Sequence, residues 1–160
     1  MPENREGQRV PQVTFRARNE SDWKPVTTDE IFKGKTVVVF SLPGAFTPTC
    51  SAKHLPSYVE KAADLKGKGI DEIVATSVND AFVLGAWNKE QGSEDITMLA
   101  DGNGELAKGL GLEMDGSKYG MGQRSQRYSM IVNDGVVEQL NVEAPGEYSV
   151  SGAETMLGQL

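Results

Sequence analysis

The sequence predicts an α/β fold, a mixed central sheet with helices on both of its faces, and three observations carry that prediction. Residues 36–42 (TVVVFSL) form an unbroken β-branched and aromatic run, the pattern of a strand buried on both sides. From there strand and helix patterns alternate to about residue 109, the order that builds a sheet covered by crossover helices. Residues 127–132 (RYSMIV) and 136–142 are joined by Asn133-Asp134-Gly135, which reads as a hairpin closed by a tight turn.

The elements follow in order. Residues 1–10 read as a loose arm, and 13–18 alternate apolar and polar as a half-buried edge strand does. Thr27-Thr28-Asp29-Glu30 is a capping box that opens a short helix to Phe32, closed by Lys33-Gly34-Lys35. The buried strand 36–42 leads into a turn-rich loop, 43–49. A helical pattern then runs from about Cys50 to Lys66, with Leu55, Tyr58, Val59, Ala62 and Leu65 on one face, and Gly67 and Gly69 stop it. Residues 70–78 form the next strand. Asn79 or Asp80 caps a helix whose apolar side carries Phe82, Val83, Ala86 and Trp87. A short strand (97–100), a short helix (104–109) and a long glycine-rich loop (109–122) precede the hairpin. A last helix spans 151–159 with Ser151 as its cap. With no internal repeat or linker, residues 1–160 read as one domain.

Composition narrows the function. The chain has 160 residues, 38% hydrophobic and 24% charged, as an ordinary globular domain does. Its net charge of −7 argues against nucleic acid and against anionic membrane surfaces, both of which select positive patches. No apolar run is long enough to span a bilayer. Residues 1–9 are polar with no signal-peptide core, so the expected location is cytoplasmic and the Asn19-Glu20-Ser21 sequon is without consequence. One cysteine and one histidine exclude a disulfide within the chain and the usual zinc sets, and no metal or organic cofactor is expected. Gly102-Asn103-Gly104-Glu105-Leu106-Ala107 matches a relaxed dinucleotide fingerprint. It follows a late, short strand rather than the first strand of a βαβ unit, so that reading is rejected.

The informative segment is Pro43-Gly44-Ala45-Phe46-Thr47-Pro48-Thr49-Cys50. It joins a buried strand to a helix, at the carboxyl end of the strand, where open α/β sheets place their sites. Thr47 followed by Pro48 is a helix start, with Thr as N-cap and Pro at the first helical position. Cys50 then falls in the first turn, where unpaired N–H groups and the helix dipole favour an anion. A thiol in that position is favoured as thiolate, the nucleophilic form. A cysteine that only fills core space needs none of this.

The run FSLPGAFTPTCSAKHLPSYVE resembles the active-site segment of peroxiredoxins. It is most similar to the subfamily of human peroxiredoxin-5, the plant type-II peroxiredoxins and the bacterial peroxiredoxin–glutaredoxin hybrids. Pro43, Thr47 and Cys50 match the family pattern Pro-x-x-x-Thr-x-x-Cys. Asn79-Asp80-Ala81-Phe82-Val83 with Trp87, and Arg124-Ser125-Gln126-Arg127-Tyr128-Ser129-Met130 with Asp134-Gly135, match further along the chain. The resemblance implies a thioredoxin-like fold and a peroxidase acting on hydrogen peroxide and organic hydroperoxides. The Cys50 thiolate would attack a peroxide oxygen and become a sulfenic acid. Arg127 would stabilise thiolate and developing oxygen charge, Thr47 would hydrogen-bond to thiolate or peroxide, and Pro43 would shield the thiol from water. Gly44 and Phe46, with His54, would complete the substrate pocket.

His54, one turn after Cys50, is a candidate base, but a thiolate stabilised by Arg127 and the helix start needs none, so it reads better as a pocket wall. Arg124 is a candidate second pocket cation or a structural ion-pair partner, and reads better as the latter. Phe46, Phe82 and Trp87 are core or surface aromatics by default; the resemblance implies a homodimer whose contact uses the active-site loop and this region. Some relatives carry a resolving cysteine near the C-terminus, but the corresponding stretch Tyr148-Ser149-Val150-Ser151-Gly152 has none. That departure implies a one-cysteine cycle closed by an external thiol: glutathione with glutaredoxin first, since the hybrid relatives fuse a glutaredoxin domain, and thioredoxin second. The rival readings are a peroxide sensor that signals to a partner without turnover, and a thioredoxin-fold protein with an inert cysteine.

Overall fold

The computed structural model describes residues 6–18 and 23–160; residues 1–5 of the expected arm and the 19–21 sequon lie outside them. The chain order is β1 (Thr14–Arg18), β2 (Trp23–Thr27), α1 (Thr28–Phe32), β3 (Thr36–Ser41), a π-helical turn (Cys50–His54), α2 (Leu55–Gly67), β4 (Glu72–Ser77), α3 (Ala81–Gln91), β5 (Thr97–Ala100), α4 (Glu105–Leu110), β6 (Glu113–Asp115), β7 (Gln123–Ser125), β8 (Tyr128–Asn133), β9 (Val136–Val142) and α5 (Ala153–Gly158).

Five strands form the central sheet in the order β5-β4-β3-β8-β9. β3, β4 and β5 run parallel, while β8 is antiparallel to both β3 and β9. The mixed sheet expected from the sequence is therefore present. β3 lies at its centre because its residues Val37, Val38, Val39 and Phe40 supply apolar side chains to both faces. Val38 and Phe40 enter one core with Leu55, Tyr58, Trp87 and Met156 of α2, α3 and α5. Val37 and Val39 enter a second core with Phe32, Leu106 and Leu110 of α1 and α4.

The turn between β8 and β9 has φ of +48° at Asp134 and +81° at Gly135, the left-handed pair that matches the twist of a two-residue hairpin. Thr27 caps α1 by accepting from the Glu30 amide, and Asp80, rather than Asn79, caps α3 by accepting from Val83. Around the 102–107 fingerprint the amides of Leu106 and Ala107 donate to the Asp101 carboxylate, so the chain's own anion occupies the helix start.

Four expectations are corrected. The described part of the arm is not loose: Gly7 and Val10 donate to Val137 and Gly135, and Val10 is buried. The 109–122 loop contains β6, which pairs with β7 as a second, two-stranded sheet; its short polar strands show no periodicity that reads as sheet. On α3 the buried residues are Leu84 and Trp87, whereas Phe82 and Ala86 face out, because Leu84 shares a helical face with Trp87 at a spacing of three. Finally, α5 begins at Ala153 and its cap position is Gly152. Ser151 lies one residue before that position, and its hydroxyl is turned away to donate to Glu143.

Candidate active site

Pro43–Cys50 leaves the carboxyl end of β3, the central strand. Several contacts shape the loop. The amide of Ala45 donates to Asn79 Oδ1 (2.9 Å), which also accepts from Ser77 Oγ at the end of β4. Arg124 donates from Nε to the Met121 carbonyl (2.9 Å) and from Nη1 to that of Pro43 (3.4 Å). Gly44 sits at a close approach: a Cβ there would lie 3.2 Å from both Arg124 Nη1 and Thr47 Cγ2, so those side chains would have to give way. Phe46 adopts φ of +64°, a left-handed conformation costly for a bulky residue, and its ring is half exposed.

Thr47 stands at the cap position, since its carbonyl accepts from the Ser51 amide (3.0 Å). Its hydroxyl does not cap the helix. It donates to the Gly44 carbonyl at 2.6 Å, which leaves the oxygen lone pairs available as acceptors. The helix that follows opens with one π-helical turn, Cys50–His54, in which the Leu55 amide donates to Cys50 O. Pro56 has no N–H to give the Ala52 carbonyl, so the regular ladder is interrupted there and the turn widens. The sequence pattern reads as a regular helix across this stretch. Ser51 accepts from Trp87 Nε1 (2.9 Å), which ties the turn to α3.

Cys50 is fully buried. Arg127, just before β8, donates from Nη2 to Cys50 Sγ at 3.1 Å and from Nη1 to His54 Nδ1 at 2.8 Å. Chemistry alone assigns the His54 tautomer. Arginine is donor-only, so Nδ1 carries the lone pair; Nε2 faces the Ser151 carbonyl at 3.1 Å, which can only accept, so Nε2 carries the proton. Tyr58 Oη donates to the same carbonyl at 2.7 Å. The imidazole is also held against Phe40, Tyr58 and Tyr148. Burial, then the Arg127 charge, push the His54 pKa down to about 3. His54 is thus a neutral acceptor whose basic nitrogen is already occupied, which removes it as a general base. It also holds the guanidinium of Arg127.

This has a consequence for stability. The ordinary value of 6.5 falls to about 3 on folding, so between those values the unfolded chain binds more protons than the folded one. Stability is intact above pH 6.5 and declines as pH falls through that window. Acidifying from about pH 6.5 to about pH 5, above the ordinary carboxylate range, should cost roughly 2 kcal/mol. Urea midpoints across that interval check it, with His54→Gln flattening the slope; the chain has no other histidine to confuse the signal.

Beside Pro43 and Arg127 opens a groove of about 830 Å³, floored by Met114, Leu140 and Val142 and edged by Glu113 and Glu147. Of the sequence-predicted residues, Pro43 and Arg127 line this groove; Cys50 and His54 are buried and reach Arg127 by hydrogen bonds, Thr47 is bonded to Gly44 within the loop, and Phe46 is exposed on it. Sequence reasoning missed Asn79 as the tether of the loop, and Tyr58, Glu143 and Ser151 behind His54. Nothing in their spacing marks them, because β9, α2 and the 149–151 segment meet only in the folded chain.

Comparisons with known proteins identify the family. The Redoxin family model matches residues 5–157. The hybrid peroxiredoxin hyPrx5 of Haemophilus influenzae is 52% identical over 97% of this chain, which spans 66% of that protein's length. Peroxiredoxin-2B of Arabidopsis thaliana is 44% identical, with 96% of each chain covered. The crystal structure of reduced Prx3 from Vibrio vulnificus in complex with hydrogen peroxide superposes with a TM-score of 0.93 at 51% identity, covering 96% of this chain and 97% of that one. A buried cysteine at a helix start under an arginine fork, with identity on this scale over nearly the full 160 residues, leads to one conclusion: the chain belongs to the peroxiredoxin family of thiol peroxidases.

Proposed function

We propose that the protein reduces hydrogen peroxide and organic hydroperoxides by a one-cysteine cycle in which Cys50 is the nucleophile. The observation that carries this is the two-pronged contact of Arg127 with Cys50 Sγ and His54 Nδ1. It places a fixed positive charge on the sulfur inside a buried site, where such a charge acts most strongly. The Cys50 thiolate attacks one oxygen of ROOH. The S–O bond forms as the O–O bond breaks, and the departing alkoxide takes a proton to leave as ROH. Thr47, whose own proton is given to Gly44, accepts the hydrogen of the bound peroxide and orients it. Pro43 limits water at the thiol, and Gly44, Phe46 and His54 complete the substrate pocket with Thr47 and Arg127.

The product is a sulfenic acid on the only cysteine of these 160 residues. An external thiol condenses with it, releasing water and leaving a mixed disulfide; a second thiol resolves that disulfide and restores Cys50. Glutathione with glutaredoxin is the first choice of reductant, supported by the similarity to a hybrid peroxiredoxin, and thioredoxin is the second. Such recycling operates where thiols are kept reduced, which fits the cytoplasm. The exposed rings of Phe46 and Phe82, on the active-site loop and α3, support a homodimer contact there.

Stopped-flow oxidation of the reduced protein, followed by Trp fluorescence, tests the reading with hydrogen peroxide and with an organic hydroperoxide. One equivalent of thiol should be lost per chain, and many turnovers should follow once glutathione and glutaredoxin are supplied. Turnover with thioredoxin alone would move the assignment of reductant. Oxidation at the rate of a free thiol would discard the peroxidase in favour of partner binding.

A further inference from the structure

The chain holds a carboxylate that the cycle above does not use. Glu143 lies just past β9 and is almost fully buried. The amides of Ser149, Val150 and Ser151 donate to its Oε2 at 2.8, 2.8 and 2.9 Å, and the Ser151 hydroxyl adds a fourth contact at 2.7 Å. Ser149 Oγ reaches Oε1 at 3.3 Å. Three consecutive amides turned onto one oxygen require the 149–151 segment to curl around that oxygen. With its amides turned onto Glu143, Ser151 presents its carbonyl to His54 Nε2 and to Tyr58 Oη. The Glu143 amide in turn donates to the Arg127 carbonyl at 2.9 Å. The connections therefore form a closed circuit that begins and ends on Arg127.

We propose that Glu143 is a positioning residue for Cys50 chemistry: its carboxylate holds the 149–151 segment so that the Ser151 carbonyl fixes the His54 tautomer, and His54 holds the Arg127 guanidinium on Cys50 Sγ. The inference rests on the peroxidase reading for its kinetic consequence, though not for its geometric one. Without the carboxylate, three amides and a hydroxyl lose their common acceptor and the Ser151 carbonyl is no longer aimed. His54 can then place its proton on either nitrogen. A proton on Nδ1 turns an acceptor for Arg127 into a donor that opposes it, and the fork leaves the sulfur. The charges facing His54 are Arg127, just before β8, and Glu143 behind Ser151. Burial opposes ionisation of Glu143, but the Ser151 hydroxyl and the three amides outweigh it and hold its carboxyl below the usual range, so the clamp persists at neutral pH.

The test uses the full chain with Glu143→Ala, Glu143→Asp and Glu143→Gln. The ring nitrogens of the single histidine are read by nitrogen-15 NMR without peroxide, and the rate of Cys50 oxidation is then read with hydrogen peroxide. In the parent protein only the Nε2–H tautomer should appear. In the Ala and Asp variants, the latter one methylene too short, the Nδ1–H tautomer should become populated. Their oxidation should slow by about tenfold or more, as expected for loss of precise placement. Gln keeps an oxygen acceptor and should retain the tautomer, with a rate within about threefold. If Glu143→Ala does not fold, the contrast between Asp and Gln decides. An unchanged tautomer and an unchanged rate in folded Ala or Asp variants would overturn the proposal, as would a rate loss with the parent tautomer intact. A parent protein that shows no peroxidase activity but the expected tautomer shift would overturn the reading of function and leave the positioning role standing.

Discussion

Cys50→Ser should abolish peroxide reduction, with a fall in the second-order oxidation rate on the order of 10⁴-fold or more. Serine is nearly isosteric, and its oxygen can accept the Arg127 Nη2–H that now points at Sγ, so the pocket keeps its shape and polar partners. An alcohol at this site has no accessible anion at neutral pH and cannot give up electron density to an O–O bond as a thiolate does. Because the substitution exchanges one buried donor–acceptor for another, stability should change by no more than about 1 kcal/mol. Chemical denaturation then separates loss of chemistry from loss of fold. Thiol titration should read zero, since the chain contains no other cysteine. Peroxide turnover that survives in this variant would take Cys50 out of the mechanism.

How far the site was legible in the sequence depends on how local each part is. The strand, loop and helix start around Cys50 are contiguous, so β3, Pro43, Thr47 and the placement of the thiol follow from residue order alone. Arg127 lies 77 positions beyond Cys50 and could be paired with it only through family resemblance; spacing carries no such information. His54 shows the opposite case. Its position one turn after Cys50 is plain, yet its protonation depends on burial, on Arg127 and on the Ser151 carbonyl, which come from the folded core, the residue before β8 and the C-terminal segment. The π-helical turn was hidden because Pro56 near a helix start ordinarily signals a beginning, whereas here the helix has already begun at Pro48. The β6–β7 ribbon was missed for a different reason: three-residue strands are too short for any periodicity to show.

Arg127→Ala should slow oxidation of Cys50 by about 10²–10³-fold, the scale on which a preorganised charge at the reacting atoms acts. Arg127→Lys should recover only part of that loss and remain roughly tenfold or more below the parent. The reason lies in the fork. One guanidinium nitrogen is committed to His54 Nδ1 and the other to Cys50 Sγ, 2.8 and 3.1 Å away. A planar group with two parallel donors can satisfy both at once, while a single ammonium on a flexible stem must choose. If charge alone governed the rate, Lys would match Arg; if two-point placement governs it, Lys falls closer to Ala. The Ala variant also changes the histidine. Without a cation the repulsion that helps to depress His54 disappears, and its Nδ1 lone pair becomes a buried acceptor with no donor, at a cost of about 1–3 kcal/mol. Taking up a proton relieves that cost. In Arg127→Ala, then, His54 should titrate above its parent value of about 3, and the loss of stability between about pH 6.5 and about pH 5 should become shallower. Slower chemistry together with a flattened pH–stability slope would show that one side chain sets both the reactivity of Cys50 and the neutrality of His54. A rate loss with the slope unchanged would mean that burial alone keeps the imidazole neutral and that Arg127 acts on the sulfur only.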